Sequence, residues 1–183
     1  MSETPLTSDP SAPQPAAAPQ PSALDREMLE DYLNQHLLGS RPGVPAFRAA
    51  ADTWEGTPQH AVLARLADGV EASQERLEEI IARLGFRTPV RDRAAGAVAA
   101  AGGRLNPVNA VRAKGSGWTQ VELDVLTGAL QGQSEMWRIL ERLAPHVPGL
   151  DAEEARGLLE QTREYLAEVQ RVTDETLLRR FLG

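Results

Sequence analysis

No cysteine occurs among the 183 residues, which rules out a disulfide scaffold, a thiol nucleophile and thiolate metal sites. That absence fits a reducing compartment. No run approaches the ~18 consecutive apolar residues of a membrane-spanning helix, so no transmembrane segment is expected. Lysine is almost missing: the cations are eighteen arginines and the single Lys114. With alanine abundant, this skew reads as codon bias, which weakens any step from an arginine to a bound phosphate. Only three histidines are present, His36, His60 and His146, and none completes a Glu-x-x-His pair. Serine-nucleophile and phosphate-loop patterns are absent too; the pair Gly102-Gly103 lacks the preceding strand that such motifs require.

Residues 1–22 contain no Lys or Arg and no apolar stretch, so they do not read as a secretory signal. They carry six prolines and read as a disordered, partly polyproline-like tail. A cytoplasmic protein is expected, with one helical domain over residues 23–183. The composition, 42% hydrophobic and 25% charged, is enough for a real core at this length.

The dominant signal that is present is helical periodicity. The first segment begins near Ser22 or Asp25 and carries Met28, Leu29, Tyr32, Leu33 and Leu37. It meets Gly39-Ser40-Arg41-Pro42-Gly43 and resumes with Val44, Phe47, Ala51 and Trp54. Positions 33, 37, 40, 44, 47, 51 and 54 keep one three-four alternation through the interruption. Pro42 and Pro45 each remove a backbone bond, at about 3 kcal/mol or more in a helix interior. The unbroken phase favours one kinked helix over two short ones. Glu55-Gly56-Thr57-Pro58 is a stop followed by a start. A second helix then runs to about Leu84, antiparallel to the first because the link is short.

Residues 86–117 differ in kind. Pro89, Gly96, Gly102, Gly103, Pro107, Gly115 and Gly117 punctuate them, and residues 90–101 suit one short alanine-rich helix. Six bases and one acid give this stretch a net charge of +5, which leaves −12 on the rest of a chain of net −7. An acidic body makes nucleic-acid binding unexpected, whereas Arg87, Arg91, Arg93, Arg104 and Arg112 could meet one local anionic partner. A membrane-surface helix would want bulky anchors in place of Val90, Ala94, Ala97, Val98 and Ala101. A strap lying on the acidic bundle is the favoured reading. A third long helix starts near Trp118 and ends at Ala144–Gly149; a fourth, capped by Asp151, runs toward Phe181.

Two antiparallel helices, a long crossover and two more antiparallel helices make an all-α fold. The opening Leu29-Glu30-Asp31-Tyr32-Leu33-Asn34-Gln35-His36-Leu37, with the helix layout from Leu24 to Leu182, resembles the ferritin-like four-helix bundle superfamily, in a bacterial branch that lacks the di-metal ligands. That resemblance implies up-down pairs joined by a long crossover, and side-by-side homodimers.

Ferritin-like carboxylate proteins hold two metals with a Glu from each of two helices and a Glu-x-x-His from each of the others. Here the mid-stripe positions are neutral: Ser40, then Ser73 and Gln74, then Gln133, then Thr162. Such groups are poor ligands for two cations but suit a buried hydrogen-bonded layer. That structural layer is preferred to a small-ligand pocket or a metal site. Should iron or manganese bind, Glu71, Glu75, Glu135 and Glu164 are the nearest residues to enlist. The remaining carboxylate runs read as solvated faces, and Gly128 and Gly132 predict a close contact on the third helix. The functional expectation is a non-catalytic bundle acting through protein contacts, as a dimeric scaffold or a stress-related accessory. A metal-carboxylate protein, or an anionic-partner module using the basic crossover, are the alternatives.

Overall fold

A computed structural model describes residues 24–88 and 118–182, and it is all-α. The expectations for the tail and for the short helix of the crossover fall outside those residues. Helix α1 spans Arg26–Ser40, α2 Gly43–Thr53, α3 Pro58–Arg83, α4 Trp118–Leu143 and α5 Ala152–Phe181, with a 3-10 turn at Ala144–His146.

The helix ends follow local chemistry. Asp25 caps α1 by accepting from the Met28 amide at 3.0 Å, and Asp151 caps α5 by accepting from the Glu153 amide at 2.8 Å, each satisfying an amide that the helix leaves unpaired. Thr57 holds the cap position of α3, but its hydroxyl donates to the Trp54 carbonyl at 2.6 Å instead. Gly56 makes the turn that precedes it possible at φ 80, a left-handed backbone that other residues resist.

The first rod departs from the favoured kinked helix. The structure has two helices, because Pro42 and Pro45 have no amide to give and the hydrogen-bond ladder stops at Arg41 and Pro42. Both residues nevertheless keep right-handed helical dihedrals, φ −52, ψ −40 and φ −72, ψ −9. The winding therefore continues in phase, and Leu33, Leu37, Val44, Phe47, Ala51 and Trp54 are all buried along one side.

Apolar packing falls into two clusters stacked along the bundle axis. The first joins α1 (Leu29, Leu33, Leu37) to the C-terminal half of α3, the C-terminal half of α4 and the start of α5. The second joins α2 to the N-terminal halves of α3 and α4 and the later part of α5. The order of these contacts fixes directions: the α1–α2 rod and α5 run one way, α3 and α4 the other. Cross-links agree. Arg26 at the start of α1 donates to the Leu84 carbonyl past the end of α3 at 2.9 Å, and Arg156 near the start of α5 donates to Glu141 near the end of α4 at 2.8 Å. The α1–α2 rod touches α3 and α4, and α5 touches α3 and α4, so every neighbouring pair is antiparallel.

Candidate functional site

The two clusters do not merge. Between them, at the level where α1 gives way to α2, lies a cavity of about 580 Å³. Leu77 and Met136 bound it on the side of the first cluster; Phe47, Val70, Leu126 and Leu130 bound it on the side of the second. Gly39 and Gly43 on the first rod, and Gly128 and Gly132 on α4, form much of its rim.

The neutral residues singled out by sequence fall here, with one exception. Ser40, Ser73, Gln74 and Gln133 line the cavity, whereas Thr162 does not. Thr162 is fully buried and returns its hydroxyl to the Leu158 carbonyl of its own helix at 2.8 Å. Gln74 donates its Nε2 to the Ser40 carbonyl across the rods, and the Ser40 hydroxyl donates to the Leu37 carbonyl at 2.9 Å. Ser73 is 1% exposed, and its hydroxyl has no hydrogen-bond partner among the described residues.

Two titratable groups stand at the mouth. Tyr32 and His36 also line the cavity, one helical turn apart, with ring centroids 4.6 Å apart in an edge-on arrangement. Burial pushes the His36 imidazole below its usual range, toward the neutral form. Burial, reinforced by the Glu135 carboxylate, raises the Tyr32 phenol and keeps it protonated. Among the described residues none that lines the cavity is Lys, Arg, Asp or Glu.

The carboxylates named for a metal do not converge. Glu71 pairs with Arg48 at 2.7 Å across α2 and α3; Glu135 pairs with Arg138 on its own helix at 2.5 Å, and that guanidinium holds its carboxyl below the usual range. Glu75 and Glu164 are exposed. Among the described residues no group of three or more His, Cys, Asp or Glu is placed to hold a metal. Of the basic set, Arg87 alone is described. Its amide donates to Glu30 at 3.0 Å and its carbonyl accepts from Asn34 at 2.9 Å, so the chain leaves α3 across α1. Arg91, Arg93, Arg104 and Arg112 lie outside the described residues.

Glycine placement differs from expectation. A Cβ at Gly128 or Gly132 would meet nothing within 4 Å among the described residues, so no close contact there accounts for them. The close approach is at Gly69 of α3, where a Cβ would lie 2.5 Å from Cζ of Tyr165 on α5 and nearer still to its hydroxyl. The sequence held a signal for the cavity rim: Gly39 and Gly43 are four apart, as are Gly128 and Gly132.

A second feature lies at the far end of the bundle. Leu178, Phe181 and Leu182 at the end of α5 are 67%, 61% and 76% exposed, and Val121 at the start of α4 is 44% exposed. Among the described residues no helix is long and apolar enough to cross a membrane. No family model, curated protein or solved structure matches the chain.

Proposed function

We propose that this chain is a non-catalytic, ferritin-like helical bundle that works through protein–protein contacts, first with a second copy of itself. The ferritin-like plan is supported by the direction order: α3 and α4 run the same way, so α3 ends and α4 begins at opposite ends of the bundle, as in folds that carry a crossover. Such a crossover separates this plan from a simple up-down-up-down bundle. The absence of a carboxylate cluster among the described residues favours the inert branch over the metal-carboxylate alternative.

The observation that carries the reading is the exposed apolar end of α5. Leu178, Phe181 and Leu182 stand largely in water, and burying a Leu or Phe side chain is worth about 1.5–3 kcal/mol. An end that leaves several of them uncovered is a contact surface awaiting its partner. Light scattering on purified protein tests it. The wild type is expected as a dimer, and Leu178→Glu with Phe181→Glu as a monomer of unchanged helicity. A wild type that stays monomeric at high concentration refutes the self-association, and stoichiometric iron or manganese in protein purified without chelator would transfer the chain to the metal-carboxylate reading.

A further inference from the structure

The cavity between the two apolar clusters has features that a defect of packing would not share. It is large: ligand sites run to about 300–1,000 Å³, and this one holds about 580 Å³. Its size comes from residues that give up side chains. Among the described residues, nothing stands within 4 Å of where a Cβ would be at Gly39, Gly128 and Gly132, although glycine inside a helix is about 1 kcal/mol less favourable than alanine.

Among its polar residues Ser73 stands apart. Thr53, Thr162, Thr173 and Thr176 all return their hydroxyls to the carbonyl four residues back. Ser73 makes no such bond; it lines the cavity, buried and without a partner among the described residues. A buried hydroxyl left unpaired is unfavourable by about 1–3 kcal/mol, so it is a group prepared for something that enters.

The charge content selects the visitor. With no Lys or Arg among the described lining residues, a carboxylate or phosphate would be taken out of water with none of them to pair with. With no Asp or Glu among them either, a cation would fare no better. We propose that this cavity binds a small neutral molecule, apolar over most of its surface and carrying one hydrogen-bonding group that meets the Ser73 hydroxyl. Its apolar body lies between Phe47 and Val70 on one side and Leu126, Leu130 and Met136 on the other. Entry is from the α1–α4 face, where Gly39, Gly128 and Gly132 form the rim. Neutrality of His36, favoured by its burial, keeps the mouth uncharged.

Fluorescence titration of the full chain with two probes of one ring skeleton tests this. N-phenyl-1-naphthylamine is neutral and carries one N–H; 8-anilinonaphthalene-1-sulfonate adds a fixed negative charge. The neutral probe is expected to bind saturably, one per chain, and the sulfonate roughly tenfold more weakly or worse. Gly128→Leu and, from the opposite wall, Gly39→Leu each put a side chain into open space and should weaken the neutral probe roughly tenfold, with the unfolding temperature unchanged or raised. Ser73→Ala should weaken it roughly fivefold. Leu178→Glu, at the far end, should leave it unchanged, which separates this site from the proposed dimer contact. Equal binding of both probes, or indifference to Gly128→Leu, Gly39→Leu and Ser73→Ala, overturns the proposal. So does a wild type that binds neither probe, since the space is then filled by the protein itself or by a second copy.

Discussion

One substitution, glycine to alanine, should have opposite effects at two places in this bundle. In a helix interior alanine gains about 0.8–1 kcal/mol over glycine because the unfolded chain has less freedom to lose. At Gly128 and Gly132 nothing described lies within 4 Å of the new methyl, so that gain arrives undiminished. The double variant is expected to be more stable by about 1.5–2 kcal/mol, which raises the melting temperature by roughly 4–7 °C for a chain of this size. At Gly69 the methyl would stand 2.5 Å from Cζ of Tyr165. The ring must retreat by about 1 Å to reach ordinary carbon contact, and forcing groups into filled space is unfavourable by about 1–3 kcal/mol. Gly69→Ala is therefore neutral to about 2 kcal/mol destabilising, and Tyr165→Leu in that background should recover part of the loss. Urea unfolding followed by far-UV circular dichroism reads both. A loss of stability in Gly128→Ala with Gly132→Ala would mean that something packs on those glycines in solution, and the reading of an open rim would fail.

Other perturbations give narrower outcomes. Because burial holds the His36 pKa below its ordinary 6.5, the unfolded chain takes up a proton that the fold resists. Stability should thus fall as pH drops through about 6.5 toward the lower folded value, and His36→Gln should flatten that slope in unfolding curves at pH 7.5 and 5.5. Asp151→Ala removes the acceptor for the Glu153 and Glu154 amides and should destabilise by about 1 kcal/mol. Thr176→Val removes the hydroxyl that accepts from Arg180 at 3.0 Å. It should destabilise by about 1–2 kcal/mol, and Arg180→Met in the same chain should return most of it, since burial already disfavours the Arg180 charge.

The helices were legible because each buries a stripe at the 3.6-residue period. Leu33, Leu37, Val44 and Phe47 on the first rod, and Leu63, Leu66, Val70 and Leu77 on α3, announce both the element and its inward face. Starts and stops were legible where one residue decides them, as at Asp25, Gly56 and Asp151. The break at Pro42 was visible but its outcome was not, because periodicity reports phase and not the hydrogen-bond ladder. At Arg41 and Pro42 the phase survives while the ladder stops. The neutral mid-stripe residues could be found from sequence, yet the space beside them could not. A cavity is a relation between helices, and no single stripe records how far apart two rims of glycine will lie. Gly69 was missed for the same reason: its partner, Tyr165, is on a helix that begins far along the chain.

The interruption of the core is a coincidence of independent concessions. The first rod gives up its backbone bonds at Pro42, about 3 kcal/mol in an intact helix. Gly128 and Gly132 give up about 1 kcal/mol each, and the Ser73 hydroxyl about 1–3 kcal/mol by lacking a partner among the described residues. Any one of these is ordinary in a natural protein. Their meeting on one cavity, from three different helices, is not what selection for a filled core would leave. Set against a net stability of about 5–15 kcal/mol, they are a large fraction to spend at a single level of the bundle. Natural chains break local rules together where function asks for it. Nothing in the turn geometry or in the antiparallel pairing requires space at this level, because the α1–α2 stripe passes through the break in phase and would accept larger neighbours. The gap is therefore better explained by what enters it than by how the chain folds.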